Sequence, residues 1–291
     1  MTSLNKIVLG TASLGGVWGK IDSGESIDTI LLALESGIRR LDTAPAYNQC
    51  ENIVRKALEH WKGPRPFIST KVGRLFSKSA NDAILDFRPH VMYQSLLRSI
   101  EKLDAIDLLF LHEPEKVPEK NIPEVVDFLV QQKYDRTVKY IGLGGYVPKS
   151  YHPFIKKGVF DYVMSYNNVN ACSVSGLEED IPFFKKHDLT TYQGSILHMG
   201  LLGRRFDTYL ESPPDWIQSK VLQNATLAKQ TANQLGMPLS TFAHRFALSI
   251  KGIDYLVLGA RNKTQLQSSL GDYKQGPLDQ EAVTELIDKI R

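Results

Sequence analysis

The segment LDTAPAY places an acid, Asp42, five residues before a tyrosine, Tyr47, at the end of a short apolar run. Two further polar residues stand at similar positions: Lys71 follows the run FIST, and His112 ends the run LLFLH. A phenol has an unperturbed pKa of about 10 and exchanges protons poorly at neutral pH unless a cation lies beside it. An ammonium held by a carboxylate supplies such a cation, which predicts the proton-transfer chain Tyr47, Lys71 and Asp42.

Each of these residues also has an ordinary structural explanation. Asp42 would cap a turn, Tyr47 would be a rim aromatic, Lys71 a solvated side chain and His112 a hydrogen-bonded histidine. Their joint placement favours chemistry, because all four fall at the ends of three consecutive strand candidates. In that arrangement the imidazole of His112 would hold the substrate oxygen and share the proton.

Strand-like segments alternate with segments of helical period along the chain, and this order predicts the fold. The eight strand candidates are KIVLG, RRLDT, PFIST, IDLLFLH, VKYIGL, FDYVMSY, LTTYQGS and DYLVLG. Eight strands alternating with helices predict an α/β protein, and the closed (β/α)8 TIM barrel is favoured over an open sheet. Catalytic groups in such a barrel lie at the C-terminal ends of the strands, where the four residues are expected.

The intervening helices are predicted from apolar residues of helical spacing. Pro89 suits the first turn of the third helix, where a missing N–H is harmless. The weakest helix spans 151–157, the longest irregular part spans 197–214, and a final helix at 279–290 is expected to pack outside the barrel. The remaining helix candidates span 26–36, 52–60, 91–103, 122–132, 178–187, 216–235, 239–250 and 264–270.

Composition limits the class of protein. The 291 residues are 42% apolar and 23% charged, which indicates a globular protein, and we expect residues 1–291 to form one domain. The net charge of +3 is spread over alternating signs, which argues against a nucleic-acid partner. No signal peptide or membrane span is recognisable, so a cytoplasmic, soluble protein is expected. Cys50 and Cys172 cannot build a disulfide framework or a cysteine metal site, and we predict no metal.

The motifs resemble those of the aldo-keto reductase superfamily along the whole chain. The matching segments are RRLDTAPAYN with Glu51 following, FISTKVGR, DLLFLHEPE, YIGLGGY and LGARNKTQL. The resemblance implies a (β/α)8 barrel that binds NAD(P)(H) without a Rossmann domain, with Asp42, Tyr47, Lys71 and His112 as its catalytic tetrad. The segments GSILHMGLL and SPPDW are similar to those of the branch that contains L-galactose dehydrogenase and aldose 1-dehydrogenases.

The resemblance also implies where the cofactor binds. The loop 195–202, with Ser195, Leu197 and Gly200, would clamp the pyrophosphate. Further contacts are expected near the adenosine, after strand eight, from four residues: Gly259, Arg261, Asn262 and Gln265.

Several positions depart from the family pattern. Gly144 and Gly145 stand where many relatives hold the carboxamide with Ser-Asn, and Gly194 stands where a tyrosine stacks on the nicotinamide. Ser165 and Asn167 are the candidates to replace the carboxamide contacts. Gln265 stands where many relatives use arginine for the 2′-phosphate, so that recognition would fall to Arg261 and Lys263, and NAD is favoured over NADP.

The expected substrate is a free aldose, oxidised at C1, or a small aldehyde or ketone. Trp18, Arg74, Glu113 and His198 would surround the substrate mouth, although each is equally well explained as a packed or solvated loop residue. One alternative is a cofactor-binding regulator with little chemistry, for which a tuned phenol has no use. Another is a lyase or aldolase barrel with Lys71 as a Schiff-base amine, which leaves Tyr47 without a role. The sequence indicates no particular oligomeric state.

Overall fold

The computed structural model describes residues 3–77 and 83–291. Eight parallel strands pair in order and close into a barrel, with the eighth strand beside the first. The predicted TIM barrel is confirmed, and each strand overlaps its predicted segment, although the third strand continues two residues beyond PFIST and the fifth one residue beyond VKYIGL. The strands are β1 (Ile7–Gly10), β2 (Arg40–Asp42), β3 (Phe67–Val72), β4 (Ile106–His112), β5 (Val138–Gly144), β6 (Tyr162–Tyr166), β7 (Thr190–Gly194) and β8 (Tyr255–Gly259).

Eleven α-helices occur among the described residues, and the predicted helices are all present with shifted ends. Pro89 begins the third helix as predicted. The final helix packs against its neighbours, with Asp279 as N-cap accepting from the N–H of Glu281. In 3–77 and 83–291, no helix combines the length and apolar character needed to cross a membrane. The helices are α1 (Ser23–Glu35), α2 (Cys50–His60), α3 (Pro89–Leu103), α4 (Ile122–Tyr134), α5 (His152–Lys156), α6 (Asp180–Lys186), α7 (Phe206–Glu211), α8 (Ser219–Gln234), α9 (Leu239–Ser249), α10 (Lys263–Lys274) and α11 (Gln280–Ile290).

The region after β7 differs from the prediction. The segment expected to be irregular contains α7, in which Tyr209 is buried and its hydroxyl accepts a hydrogen bond from Arg205. The helix expected from Trp216 begins at Ser219, because the N–H of Ile217 closes a turn onto the carbonyl of Pro214. An unpredicted antiparallel ribbon pairs Arg74–Leu75 with Ile84–Leu85 beyond β3.

Side chains alternate between two apolar layers, and this alternation positions the candidate site. Inside the barrel, Leu108 and Phe110 of β4 pack with apolar residues of β1, β6 and β7. Leu109 and Leu111 belong instead to the larger core between the barrel and the helices. Since the period of a strand is two residues, His112 lies on the inner face above Phe110.

The N-terminal end of the barrel is filled by Arg40 and aromatic rings. The guanidinium carbon of Arg40 lies 4.1 Å from the centre of the Phe67 ring and 4.2 Å from that of Tyr255. Its Nη1 donates to the hydroxyl of Tyr192 over 3.0 Å. A stacked cation is attracted by the negative faces of the rings, so this end of the barrel is a packed layer.

Candidate active site

The structure brings together the four residues that the sequence singled out. Asp42 ends β2, Lys71 lies near the end of β3, and His112 ends β4, while Tyr47 ends the short 3₁₀ turn Pro45–Tyr47. Lys71 Nζ donates to Asp42 Oδ2 over 2.6 Å and lies 4.8 Å from the centre of the Tyr47 ring. The rings of Tyr47 and His112 are perpendicular, with centroids 5.8 Å apart.

The ion pair between Asp42 and Lys71 is buried and fully hydrogen-bonded on the carboxylate side. Its side chains are 3% and 2% exposed. Ser69 Oγ donates to the second carboxylate oxygen, Asp42 Oδ1, over 2.8 Å, and Lys71 Nζ also donates to the carbonyl of Thr43 over 2.9 Å. Ser69 was missed at the sequence level, although its spacing of two from Lys71 places both on one face of β3.

A second buried acid connects the elements that carry the site. Glu51, in the first turn of α2, accepts hydrogen bonds from Thr70 of β3 over 2.9 Å and from Ser99 of α3 over 2.7 Å. Lys102 Nζ lies 3.2 Å from its other oxygen. Because α2 begins just after Tyr47, this network fixes the tyrosine turn relative to the strand that carries Lys71.

Burial and the ion pair set the protonation states of the site. Burial by itself lowers the pKa of Lys71, but Asp42 and Tyr47 outweigh it and the pKa is raised, so the ammonium stays charged. Burial raises the pKa of Tyr47, and the charge of Lys71 opposes that rise. The phenol is therefore protonated at neutral pH, and Lys71 stabilises its ionised form.

His112 is held neutral. Burial, together with the nearby charges of Lys71 and Arg74, keeps the pKa of its imidazole well below the usual range. Its Nδ1 atom is buried and has no hydrogen-bond partner among the described residues. A neutral imidazole has one donor and one acceptor nitrogen, so His112 can hold a hydroxyl or carbonyl oxygen while Tyr47 exchanges its proton.

The same geometry argues against a Schiff-base barrel. A lysine nucleophile must be neutral and exposed to its carbonyl substrate. Lys71 is 1% exposed, and its ammonium is engaged by Asp42 and Thr43. The alternative of a lyase or aldolase that uses Lys71 is therefore disfavoured.

The ends of β6 and β7 lie on the side of the mouth where the carboxamide contacts are expected. Ser165 is buried on the face of β6 opposite Met164, whose side chain packs inside the barrel. Asn167, the first residue after β6, has a φ angle of +58°. Its Oδ1 atom is buried without a hydrogen-bond partner among the described residues. Tyr166, half-exposed, pairs directly with Gly194 of β7.

The loop after β7 has a strained backbone. Ser195, His198 and Met199 have positive φ angles, as does Gly200 at +97°. Ser195 Oγ accepts a hydrogen bond from the N–H of Met199, and the N–H of Gly200 donates to the carbonyl of Leu197 over 2.9 Å. Non-glycine residues adopt such angles only when the surroundings over-determine them, so the loop is held in one shape.

The start of α10 carries the remaining predicted cofactor residues. Gly259 ends β8, and Asn262 is the N-cap of α10, accepting from the N–H of Gln265 over 2.9 Å. Gln265 Oε1 accepts in turn from the N–H of Arg261 over 3.0 Å. The side chain of Lys263 pairs with Asp28 of α1 over 2.8 Å.

The residues expected around the mouth have different environments. Arg74 and Glu113 form an ion pair of 2.7 Å between the loops after β3 and β4, and Trp18 is half-exposed. His198 was expected at the polar rim, and this is wrong. It is 4% exposed, its Nδ1 lies 3.1 Å from Asn170 Nδ2, and it stacks on Trp216, which provides an apolar cover. Burial lowers the pKa of His198 to about 4.

Comparison with known proteins agrees with this architecture. The model of the Aldo/keto reductase family matches residues 6–291. L-galactose dehydrogenase of Arabidopsis thaliana is 24% identical over 299 residues, covering 97% of this chain and 89% of that protein. D-arabinose 1-dehydrogenase of Saccharomyces cerevisiae is 29% identical over 294 residues, covering 94% of this chain and 84% of that protein. The structure of a glycerol dehydrogenase from Gluconobacter oxydans superimposes with a TM-score of 0.78 at 24% identity, covering 98% of this chain and 90% of that chain.

The bond between Ser69 and Asp42 predicts a difference between two buried serines. Ser69→Ala removes a hydrogen bond to a charged group and should lower the free energy of unfolding by about 1.5–3 kcal/mol. Ser95→Ala is the matched control, since Ser95 Oγ is buried in α3 without a hydrogen-bond partner among the described residues. Its removal should be close to neutral. Urea unfolding followed by circular dichroism measures both, and equal losses in the two variants would contradict the prediction.

Proposed function

Since the chain belongs to the aldo/keto reductase family, whose members are NAD(P)-dependent oxidoreductases, we propose that it oxidises the C1 hydroxyl of a free aldose to a lactone. The observation that carries this proposal is the buried arrangement of Lys71 between Asp42 and Tyr47. A tuned phenol beside a neutral imidazole is suited to proton exchange with a hydroxyl or carbonyl oxygen. The similarity to L-galactose dehydrogenase of Arabidopsis and D-arabinose 1-dehydrogenase of Saccharomyces supports an aldose as the substrate.

Tyr47 acts as the general acid and base. In oxidation its phenolate, stabilised by the Lys71 ammonium, takes the proton of the C1 hydroxyl as the C1–O bond becomes a carbonyl. A bound oxidised nicotinamide would supply the acceptor for the hydride that leaves C1. In reduction the protonated phenol returns its proton to the carbonyl oxygen. His112 holds that oxygen in both directions and stays neutral, because burial and the nearby charge of Lys71 both lower the pKa of its imidazole.

Residues at the ends of β6 and β7 fit a nicotinamide. The buried acceptor Oδ1 of Asn167, without a partner among the described residues, suits the N–H2 of a carboxamide. An added Cβ at Gly194 would meet only the carbonyl of Ser165 at 3.5 Å and the Cβ of Tyr166 at 3.6 Å within 4 Å. We propose that the ring of Tyr166 supplies the aromatic face beside this open position and that Asn167 holds the carboxamide.

The mouth suits a polyhydroxylated substrate. The ion pair of Arg74 and Glu113 presents donors and acceptors above the tetrad. Two aromatic residues are half-exposed: Trp18, on the loop after β1, and Tyr166, the last residue of β6. A mouth that hydrogen-bonds hydroxyls discriminates strongly against analogues that lack them, whereas an apolar mouth separates substrates by only about 1–3 kcal/mol per methylene. This supports an aldose over a hydrophobic aldehyde.

Replacing the phenol tests the role of Tyr47. Tyr47→Phe should bind the cofactor and fold normally but turn over at least about 10²-fold more slowly, the lower range for loss of a general acid or base. Steady-state kinetics, with cofactor binding and thermal unfolding as controls, measure the effect. Turnover near that of the wild type would refute the role.

Removing the ammonium tests its coupling to the phenol. In Lys71→Met the pKa of Tyr47 should rise further, because only Lys71 opposes the effect of burial, and the oxidation profile should move to higher pH. The profile of kcat/KM against pH measures this shift. Because the single variant leaves Asp42 buried and unpaired, the double variant Asp42→Asn, Lys71→Met serves as the second test. Activity with an unchanged profile would mean that the groups are not coupled.

A substrate panel tests the proposed function as a whole. We expect NAD(P)+-dependent oxidation of at least one member of a set of D- and L-aldoses, followed by absorbance at 340 nm and by detection of the lactone. Tyr47→Phe is the control for contaminating activity. Efficient reduction of a simple aromatic aldehyde without oxidation of any aldose would refute the aldose assignment and leave the family's general chemistry intact.

A further inference from the structure

A polar cavity of about 300 Å³ lies where α1 and α10 begin, on the face of the barrel that carries the tetrad. It is lined by side chains from the loop before α1, from α1 itself, from the loop after β7 and from the start of α10. The residues that matter here are Lys20, Glu25, Arg204, Arg261, Asn262 and Gln265. The inference rests on the proposed function, together with the expectation from the family resemblance that the adenosine end of the cofactor binds after β8.

The backbone donors that usually bind a phosphate at a helix N-terminus are largely taken in α10. The N–H of Arg261 donates to Gln265 Oε1, and the N–H of Gln265 donates to Asn262 Oδ1. The N–H of Lys263 donates over 3.0 Å to Glu25 Oε1, which reaches across from α1. Three donors at this end are therefore bonded to side chains of the protein.

Glu25 places a carboxylate at the positive end of α10, where an added anion would otherwise be stabilised. The sequence suggested Lys263 as a partner for a 2′-phosphate, but its ammonium pairs with Asp28. We propose that Glu25 selects NAD over NADP: a ribose 2′-hydroxyl can donate to its carboxylate, whereas a 2′-phosphate is repelled by it. Lys20, Arg204 and Arg261 then balance the phosphate charges that both dinucleotides carry.

The lysine and two arginines of the cavity make the test decisive, because they can bind a 2′-phosphate once the carboxylate is neutral. Glu25→Gln retains an acceptor oxygen for the N–H of Lys263 and removes only the charge. Asp28→Asn is the matched control, since it neutralises a carboxylate on the same helix that pairs with Lys263 outside the cavity lining. Glu25→Ala, which removes charge and acceptor together, is a second variant.

Isothermal titration calorimetry with NAD+, NADP+, 5′-AMP and 2′,5′-ADP gives a readout that does not depend on turnover. The wild type should bind NAD+ more than about tenfold tighter than NADP+, and Glu25→Gln should reduce that ratio by at least about tenfold, mainly through tighter NADP+ binding. Glu25→Ala should change the ratio in the same direction. Asp28→Asn should leave it within about threefold.

Two results would overturn the role of Glu25: equal affinity of the wild type for both dinucleotides, or an unchanged ratio in both Glu25 variants. In either case, binding of the dinucleotides together with aldose turnover would leave the proposed function standing. Failure of the wild type to bind either dinucleotide would remove the proposed function and this inference together. Because 5′-AMP and 2′,5′-ADP differ only in the 2′-phosphate, the ratio of their affinities shows whether the preference for NAD+ over NADP+ arises at that group.

Discussion

The ion pair of Asp42 and Lys71 is the constraint on which the site depends. Removing two charges from water costs several kcal/mol per ion, and their mutual attraction offsets this only when the geometry is good and the remaining polar atoms are bonded. Ser69 and the carbonyl of Thr43 meet that condition here. The bonds leave the ammonium little freedom, so β2 and β3 keep their register and the Tyr47 turn keeps its distance from the charge.

The ammonium of Lys71 has opposite effects on its two neighbours, Tyr47 and His112. It stabilises the ionised form of Tyr47, which burial disfavours, and it disfavours the ionised form of His112, which burial disfavours as well. The phenol and the imidazole, whose unperturbed pKa values in water are about 10 and about 6.5, are thereby separated into different roles. In the proposed mechanism the phenol exchanges the proton, and the imidazole remains a neutral hydrogen-bonding group. Moving Lys71 would alter both roles at once.

The barrel and the four central residues were predictable because their signals are local. Strand and helix periods recur along the chain, and a polar residue that ends an apolar strand marks the mouth of a barrel. Contacts between residues far apart in the sequence were harder to predict. Ser69 has an ordinary position within a strand, and Glu25 meets Lys263 across α1 and α10. His198 was expected at the rim because the sequence does not show that Trp216 folds over it. Contacts between distant segments depend on packing that no short pattern records.

The aromatic layer around Arg40 has a consequence for how this molecule can change. It closes the N-terminal end of the barrel, and the interior rings of Phe110 and Tyr192 lie between it and the tetrad. The aromatic layer therefore stabilises the end of the barrel opposite the tetrad with residues that take no part in the proposed proton exchange. Mutations that stabilise the packing around Arg40 can accumulate without altering the residues of the proposed proton exchange. Loops at the C-terminal end of the barrel can be replaced without disturbing that packing. Such a division makes the chain a suitable starting point for laboratory evolution toward new alcohols.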